Sequence, residues 1–310
     1  MHRLVGIVLI AISASSFGAM AIFARIAYAS GADAITVLFL RFFLASLVMI
    51  AAMFLRGSPF PRGRPLLVLV SMGALGYVGQ SFCFFTALTM ASAGLVAILL
   101  YLYPAFVTIL SALLLRAPVT RRKTVALFLS LGGTLLIIGL DVGGSPLGIA
   151  LAIAAPVIYS FYILAGSRVV PVAGAFPSSA VVMISAGAVY GMIAAVRGPT
   201  FPATLVGWVC IVAIALVSTV LAISTFFAGL KRLDPASASM ISTLEPVVTV
   251  LLAALFLEER ITRFTVLGGL MILGAVLLLA RNGKRAGDVS LDRVPSPGEA
   301  TEMPPPHPPA

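Results

Sequence analysis

Residues Thr243 to Arg260 read TLEPVVTVLLAALFLEER, and they place a carboxylate, Glu245, directly before a proline inside a helix-length apolar stretch. A charge in the middle of an apolar phase costs roughly 2.5–3.5 kcal/mol on membrane-insertion scales, so it needs water, a partner or a proton. Pro246 has no N–H and frees a carbonyl one turn earlier, which loosens the helix beside the acid. This pairing suits a group that takes up and releases a proton or a cationic group. It also suits a carboxylate that pairs with an arginine to hold two helices together, and both readings stand at this stage.

Other residues able to do chemistry at that depth are few. Arg41 sits about seven residues into an apolar run, where it is placed to pair with Glu245, to hold a substrate carboxylate or to anchor helix ends. Arg25 lies near the end of the first apolar run and reads as a side chain that snorkels to the interface. Tyr77 and Gln80, and again Tyr159 and Tyr162, stand three residues apart and so share a helix face. Tyr101 and Tyr103 flank Leu102 just before Pro104. Lipid offers phenols and amides no partner, so these six are candidate cavity-wall residues, Tyr162 alternatively being an interfacial aromatic. Ser13, Ser16, Ser218 and Thr219 are candidate cavity hydroxyls, or hydroxyls bonded back to their own helices. Gly73, Gly76 and Gly79 form a smooth strip that favours close packing.

These residues must be positioned by helices in a membrane. The chain has 310 residues, of which 61% are hydrophobic and only 10% charged. Soluble domains carry roughly 25% charged residues, and apolar runs of about 20 residues recur along the whole sequence. Ten spans are predicted, near 4–24, 34–55, 65–86, 92–115, 124–140, 147–165, 176–196, 204–229, 236–257 and 264–280. The first is too long for a signal-peptide core and reads as a retained span. The stretch after Arg281 ends in PSPGEATEMPPPHPPA and is expected to be a disordered tail. His2 and His307 are the only histidines and both are terminal, so no histidine-based metal or catalytic site is expected, and Cys83 and Cys210 read as packing residues.

With the first residue placed inside, inner segments hold fifteen of the twenty Lys and Arg residues and outer loops hold three. That asymmetry places both termini in the cytoplasm and makes the net charge of +10 a topology signal, with no nucleic acid implied. A repeat lies beneath the spans. YLYPAFVTILSALLLR, starting at Tyr101, matches the Thr243 stretch at an offset of 142 residues, with Pro104 on Pro246, Thr120 on Thr262, Arg121 on Arg263 and Gly132 on Gly274. Tyr103 falls on Glu245, and Met183 is the counterpart of Arg41. Five spans per half is an odd number, so the halves enter the membrane in opposite directions, an arrangement that marks secondary transporters. The expected organisation is a first repeat over 1–142, a second over 143–281 and the tail over 282–310.

LYP at 102–104, LEP at 244–246, LRFFLASLVM at 40–49 and LFLEERIT followed by GGLMILGAVLLL together resemble the EamA-type members of the drug/metabolite transporter superfamily. The first half departs from that pattern with LLLRAPVT at 113–120, where an acidic turn is usual. Glu258 and Glu259 are therefore expected to matter for loop geometry more than for chemistry. The resemblance implies a secondary transporter of small polar metabolites, amino acids or related compounds and drugs, located in the plasma membrane and commonly exporting. Protons are the candidate coupling ion, the bilayer and a small-molecule substrate are the partners, and no cofactor or metal is called for. Oligomeric state, substrate, direction and coupling ion are not encoded in these motifs. The alternatives are an uncoupled facilitator or exchanger with a structural Glu245, a sensor or scaffold that uses the tail, and an intramembrane enzyme. No phosphate loop, GxSxG elbow or HExxH motif is present to serve the last.

Overall fold

The computed structural model describes residues 2–139, 143–257 and 261–280. They fold into ten helices: α1 (His2–Ala29), α2 (Ala34–Leu55), α3 (Arg64–Leu88), α4 (Gly94–Leu115), α5 (Arg121–Ile138), α6 (Pro146–Ala173), α7 (Ala175–Arg197), α8 (Leu205–Leu230), α9 (Pro235–Phe256) and α10 (Arg263–Ala280). Among the described residues the one extended contact is an isolated bridge between Ala91 and Gly144. Nine of these helices are long and apolar enough to cross a bilayer. The tenth, α5, opens with Arg121, Arg122 and Lys123, which leaves residues 124–138 as an apolar length of about 22 Å at 1.5 Å per residue. Glu258, Glu259 and the 282–310 tail lie outside the described residues.

Helix ends are set locally. Asp33, Ser92, Thr120, Ser145, Thr204 and Asp234 each cap a helix by accepting from the backbone N–H three residues on. Pro65, Pro146 and Pro235 occupy first turns, where a missing N–H costs nothing. Helix α6 runs eight residues past its apolar core. Its extra turns are held by Arg168, which donates to the Leu114 carbonyl at 2.9 Å, and the helix stops at Gly174, whose φ of +84° suits glycine.

Helix pairing obeys the repeat. Helix α1 packs on α8 and α9 just as its counterpart α6 packs on α3 and α4. The self-related pairs α2–α7 and α5–α10 join the halves. In the second pair the backbones touch, since a Cβ on Gly133 would lie 2.6 Å from the Gly268 carbonyl oxygen. Small residues that let helices close to this distance are how bundles gain packing energy in lipid, where burial from water is not available.

The duplication also repeats its irregularities. Helix α3 contains a π-helical turn over Met72–Tyr77, and its counterpart α8 contains one over Leu216–Leu221. Helix α4 breaks at Tyr101–Leu102, between Ala93–Leu100 and Tyr103–Leu115, and α9 breaks at the equivalent residue, Thr243, between Pro235–Ser242 and Leu244–Phe256. Pro104 and Pro246 explain the breaks, because each removes a donor and crowds the carbonyl one turn back. Four of the ten helices are thus interrupted at mid-depth.

Candidate functional site

The interrupted helices converge on a cavity of about 540 Å³ that opens beside Arg25 and Tyr28, near the C-terminal end of α1. Its wall carries Arg41, Tyr77, Gln80, Tyr101, Tyr103, Tyr159 and Glu245, so seven of the eight candidate site residues are brought together. The eighth, Tyr162, is not part of the wall and is 5% exposed. It stacks on Tyr159 at 5.8 Å and on Phe227 at 6.0 Å, while Gly76 leaves room for its ring. Sharing a face with Tyr159 was not enough to bring it to the cavity, because one turn further along α6 the helix is covered by α3 and α8.

Arg41 is fixed by both halves. Its Nε donates to Thr219 Oγ1 at 3.0 Å, Nη2 donates to the Tyr77 hydroxyl at 3.1 Å and to the Ser218 carbonyl at 3.4 Å, and Nη1 meets Met20 Sδ at 2.8 Å. The guanidinium also lies 4.7 Å from the centre of the Phe42 ring. Tyr77 closes one π-turn, and Ser218 and Thr219 belong to the other, so the guanidinium bridges the two. Thr219 in turn donates to the carbonyl of Ile214, five residues back, at 2.9 Å. Ser218 presents its carbonyl, and its own hydroxyl is buried with no partner. Ser13 donates across to the Ala222 carbonyl at 2.8 Å, which ties α1 to α8.

On the other wall the Tyr101 side chain faces the Glu245 carboxylate. Among the described residues no ion pair joins Glu245 to Arg41. The acid follows the α9 break and leans on α1. A Cβ on Gly18 would lie 2.8 Å from the Glu245 carbonyl oxygen, and Thr249 Oγ1 donates to both the Gly18 and the Glu245 carbonyls at 3.1 and 3.0 Å.

Between the two charges runs an aromatic arc: Phe42 to Tyr77 (5.0 Å), Tyr77 to Tyr162 (6.2 Å), Tyr162 to Tyr159, Tyr159 to Tyr103 (5.0 Å) and Tyr103 to Tyr101 (6.4 Å). The chain has seven tyrosines; five line the cavity, and Tyr162 and Tyr190 stack directly behind it. Gly73 faces elsewhere, against the backbone of α7 at Val182 and the side chain of Ser185. The three glycines therefore do not form one strip, because the π-turn rotates Gly73 away from Gly76 and Gly79.

Wall residues that sequence reasoning missed include Phe17, Met20, Ala21 and Ala24 of α1, Phe84 and Phe85 of α3, and Thr249. Thr249 stands four residues after Glu245 and so shares its face, a signal that was available. The α1 stripe has helical spacing too, but an apolar stripe in a membrane helix reads the same whether it faces lipid or a cavity. Arg25, expected at the interface, stands exposed at the cavity mouth.

The chain matches the model of the EamA-like transporter family twice, over residues 4–139 and 146–281. It is 26% identical over 243 residues to an uncharacterized inner membrane transporter, YedA, of Escherichia coli (strain K12), covering 77% of this chain and 79% of the relative. An uncharacterized transporter, YcbK, of Bacillus subtilis (strain 168) is 26% identical over 285 residues, covering 85% and 88%. A crystal structure of a protein with 24% sequence identity matches with a TM-score of 0.76 over 89% of this chain and 95% of the other, a likeness in fold.

Proposed function

This chain belongs to the EamA-like transporter family, and on that premise we propose that it carries a small zwitterionic metabolite, an amino acid or a related compound, by alternating access at the cavity between its two halves. The observation that carries this reading is one chamber with a carboxylate and a guanidinium on separate walls, not paired with each other. A substrate ammonium would take Glu245 and Tyr101, its carboxylate would lie toward Arg41, and its apolar part would rest on Phe17, Met20 and Phe85. Discontinuous helices at mid-depth support the same reading, since broken ends present polar backbone to a substrate at the bilayer centre. Glu245 is the coupling residue, alternately holding a proton and the substrate amine, with export as the working direction. The count of bases supports a mouth on the outer side, with the protein in the plasma (inner) membrane and both termini cytoplasmic. We assign it no catalytic chemistry.

Uptake of a labelled amino-acid and metabolite panel into proteoliposomes, with and without a pH gradient, tests this reading. Gradient-dependent uptake that disappears in Glu245→Gln is the expected result. Uptake indifferent to both gradient and mutation makes the protein a facilitator with a structural Glu245, and no uptake of any zwitterion removes the substrate assignment.

A further inference from the structure

We propose that the ion pair between Lys123 and Asp234 is a latch across the two repeats that holds the molecule with its cavity open at the opposite end. The proposal rests on the alternating-access reading above. Lys123 Nζ lies 3.0 Å from Asp234 Oδ1, with side-chain exposures of 15% and 37%. Lys123 is the third residue of α5 in the first repeat, and Asp234 caps α9 in the second, eleven residues before Glu245. The carboxylate is held in place by Ser237, which donates from its N–H at 3.1 Å and from its hydroxyl at 2.7 Å.

The position of the pair follows from α1. Near the start of that helix, a Cβ on Gly6 would lie 2.9 Å from Leu233 and 3.0 Å from Arg232, beside Asp234. Arg25, at the mouth, is nineteen residues further along, about 28 Å at helical rise. The latch therefore sits at the sealed end. Between it and the cavity, Tyr162, Phe227 and Met72 are buried and fill the path.

The duplication supplies a control. The repeat counterpart of Asp234 is Ser92, which caps α4 in the same way, and that of Lys123 is Thr265, the third residue of α10. Neither of these ionises. Two related helix junctions thus exist at opposite ends of the molecule, and among the described residues the Lys123–Asp234 ion pair lies at the sealed one. An interaction made in one of two states shifts their ratio by its own free energy. A partly exposed pair of this kind is expected to favour the mouth-open state by about twofold to fivefold.

The test uses full-length protein in nanodiscs, with Cys83 and Cys210 changed to Ser and one reporter cysteine at a time. Ser242→Cys, at a buried position eight residues along α9 from Asp234, reports the path to the sealed end, and Tyr28→Cys reports the mouth. Lys123→Gln removes one charge, and Asp234→Asn removes the other while keeping a capping oxygen. Each is expected to raise maleimide labelling at the Ser242 position twofold to fivefold and to lower it at the Tyr28 position, with the double variant no stronger than either single. Reciprocal change is the signature of a shift between two states. Unchanged rates, or rates that rise together at both positions, overturn the latch, the second because it reports general loosening. Transport is not part of the readout, so a wrong substrate assignment would leave this result standing.

Discussion

Arg41 and Glu245 line the same cavity as opposite charges, yet the arginine gives its hydrogen bonds to Thr219, Tyr77 and Ser218 and the acid faces Tyr101. The alternative in which Glu245 exists to pair with an arginine therefore loses its natural partner. Glu245→Gln is predicted to leave folding and expression intact, because an amide keeps the shape of the carboxylate beside Tyr101, and to lower gradient-driven uptake at least tenfold. Purified yield, melting temperature and proteoliposome flux measured together check this. A large drop in melting temperature would mean that the carboxylate is structural.

The bridge between the π-turns makes a graded prediction. Thr219→Val removes one acceptor from the guanidinium, and a hydrogen bond to a charged group contributes about 1.5–3 kcal/mol. Tyr77→Phe removes another and keeps the ring. Both are predicted to lower the melting temperature. Arg41→Lys should be worse than either, since an ammonium cannot reproduce three divergent donors. Thermal unfolding in detergent ranks the three, and a Lys variant as stable as wild type would show that the bridge carries no energy.

Gly73 and Gly79 lie six residues apart and predict opposite outcomes. A Cβ on Gly73 would collide with the Val182 carbonyl and the Ser185 hydroxyl, whereas one on Gly79 would meet only Ile158 Cδ1 at 4.0 Å. Gly73→Ala is expected to cost about 1–3 kcal/mol through overpacking, and Gly79→Ala should be neutral or slightly stabilising. Melting curves of the two alanine variants decide between rigid α3–α7 packing and a loose contact.

Gly18 is predicted to matter for transport more than for stability. Its missing side chain lets α1 approach the Glu245 carbonyl, and Thr249 ties the two helices there. Gly18→Val should displace the α9 break and raise the substrate KM several-fold in variants that still fold. Thr249→Val should move the same parameter in the same direction. Kinetics showing only a fall in the amount of folded protein would remove Gly18 from the site.

Acid should weaken the mouth end. Burial pushes the Asp33 carboxyl up, but hydrogen bonds from the Thr200 hydroxyl and from Thr36 outweigh it and hold the group below its ordinary value of 3.8. A carboxyl with a depressed folded pKa contributes stability above its unfolded pKa and loses it as pH falls through the folded one. Melting temperature should therefore decline below about pH 4, with a smaller decline in Thr200→Ala. Identical pH profiles for the two proteins would show that the Asp33–Thr200 contact, 2.6 Å between Oδ2 and Oγ1, contributes nothing.

Periodicity, punctuation and charge determined most of the architecture before any fold was known. The apolar runs demanded helices in lipid, because no water is there to satisfy a broken backbone. The repeat at 142 residues required two halves of five, and Pro246 marked where α9 would loosen. Glu245, Arg41 and five polar cavity residues were legible because a polar group in lipid must have a reason to be there. Tertiary structure alone decided the rest. The two π-turns have no sequence signature, and they redirect Gly73 and give Arg41 its partners, so neither the glycine strip nor the Arg41–Glu245 pair survives. Tyr162 lost its place in the wall to the helices that cover it, Phe17 and Met20 gained theirs, and Gly18 came to lie against the Glu245 carbonyl through the closeness of α1 to α9. Which apolar face meets a cavity and which meets lipid is a matter of packing, and apolar side chains look alike to both.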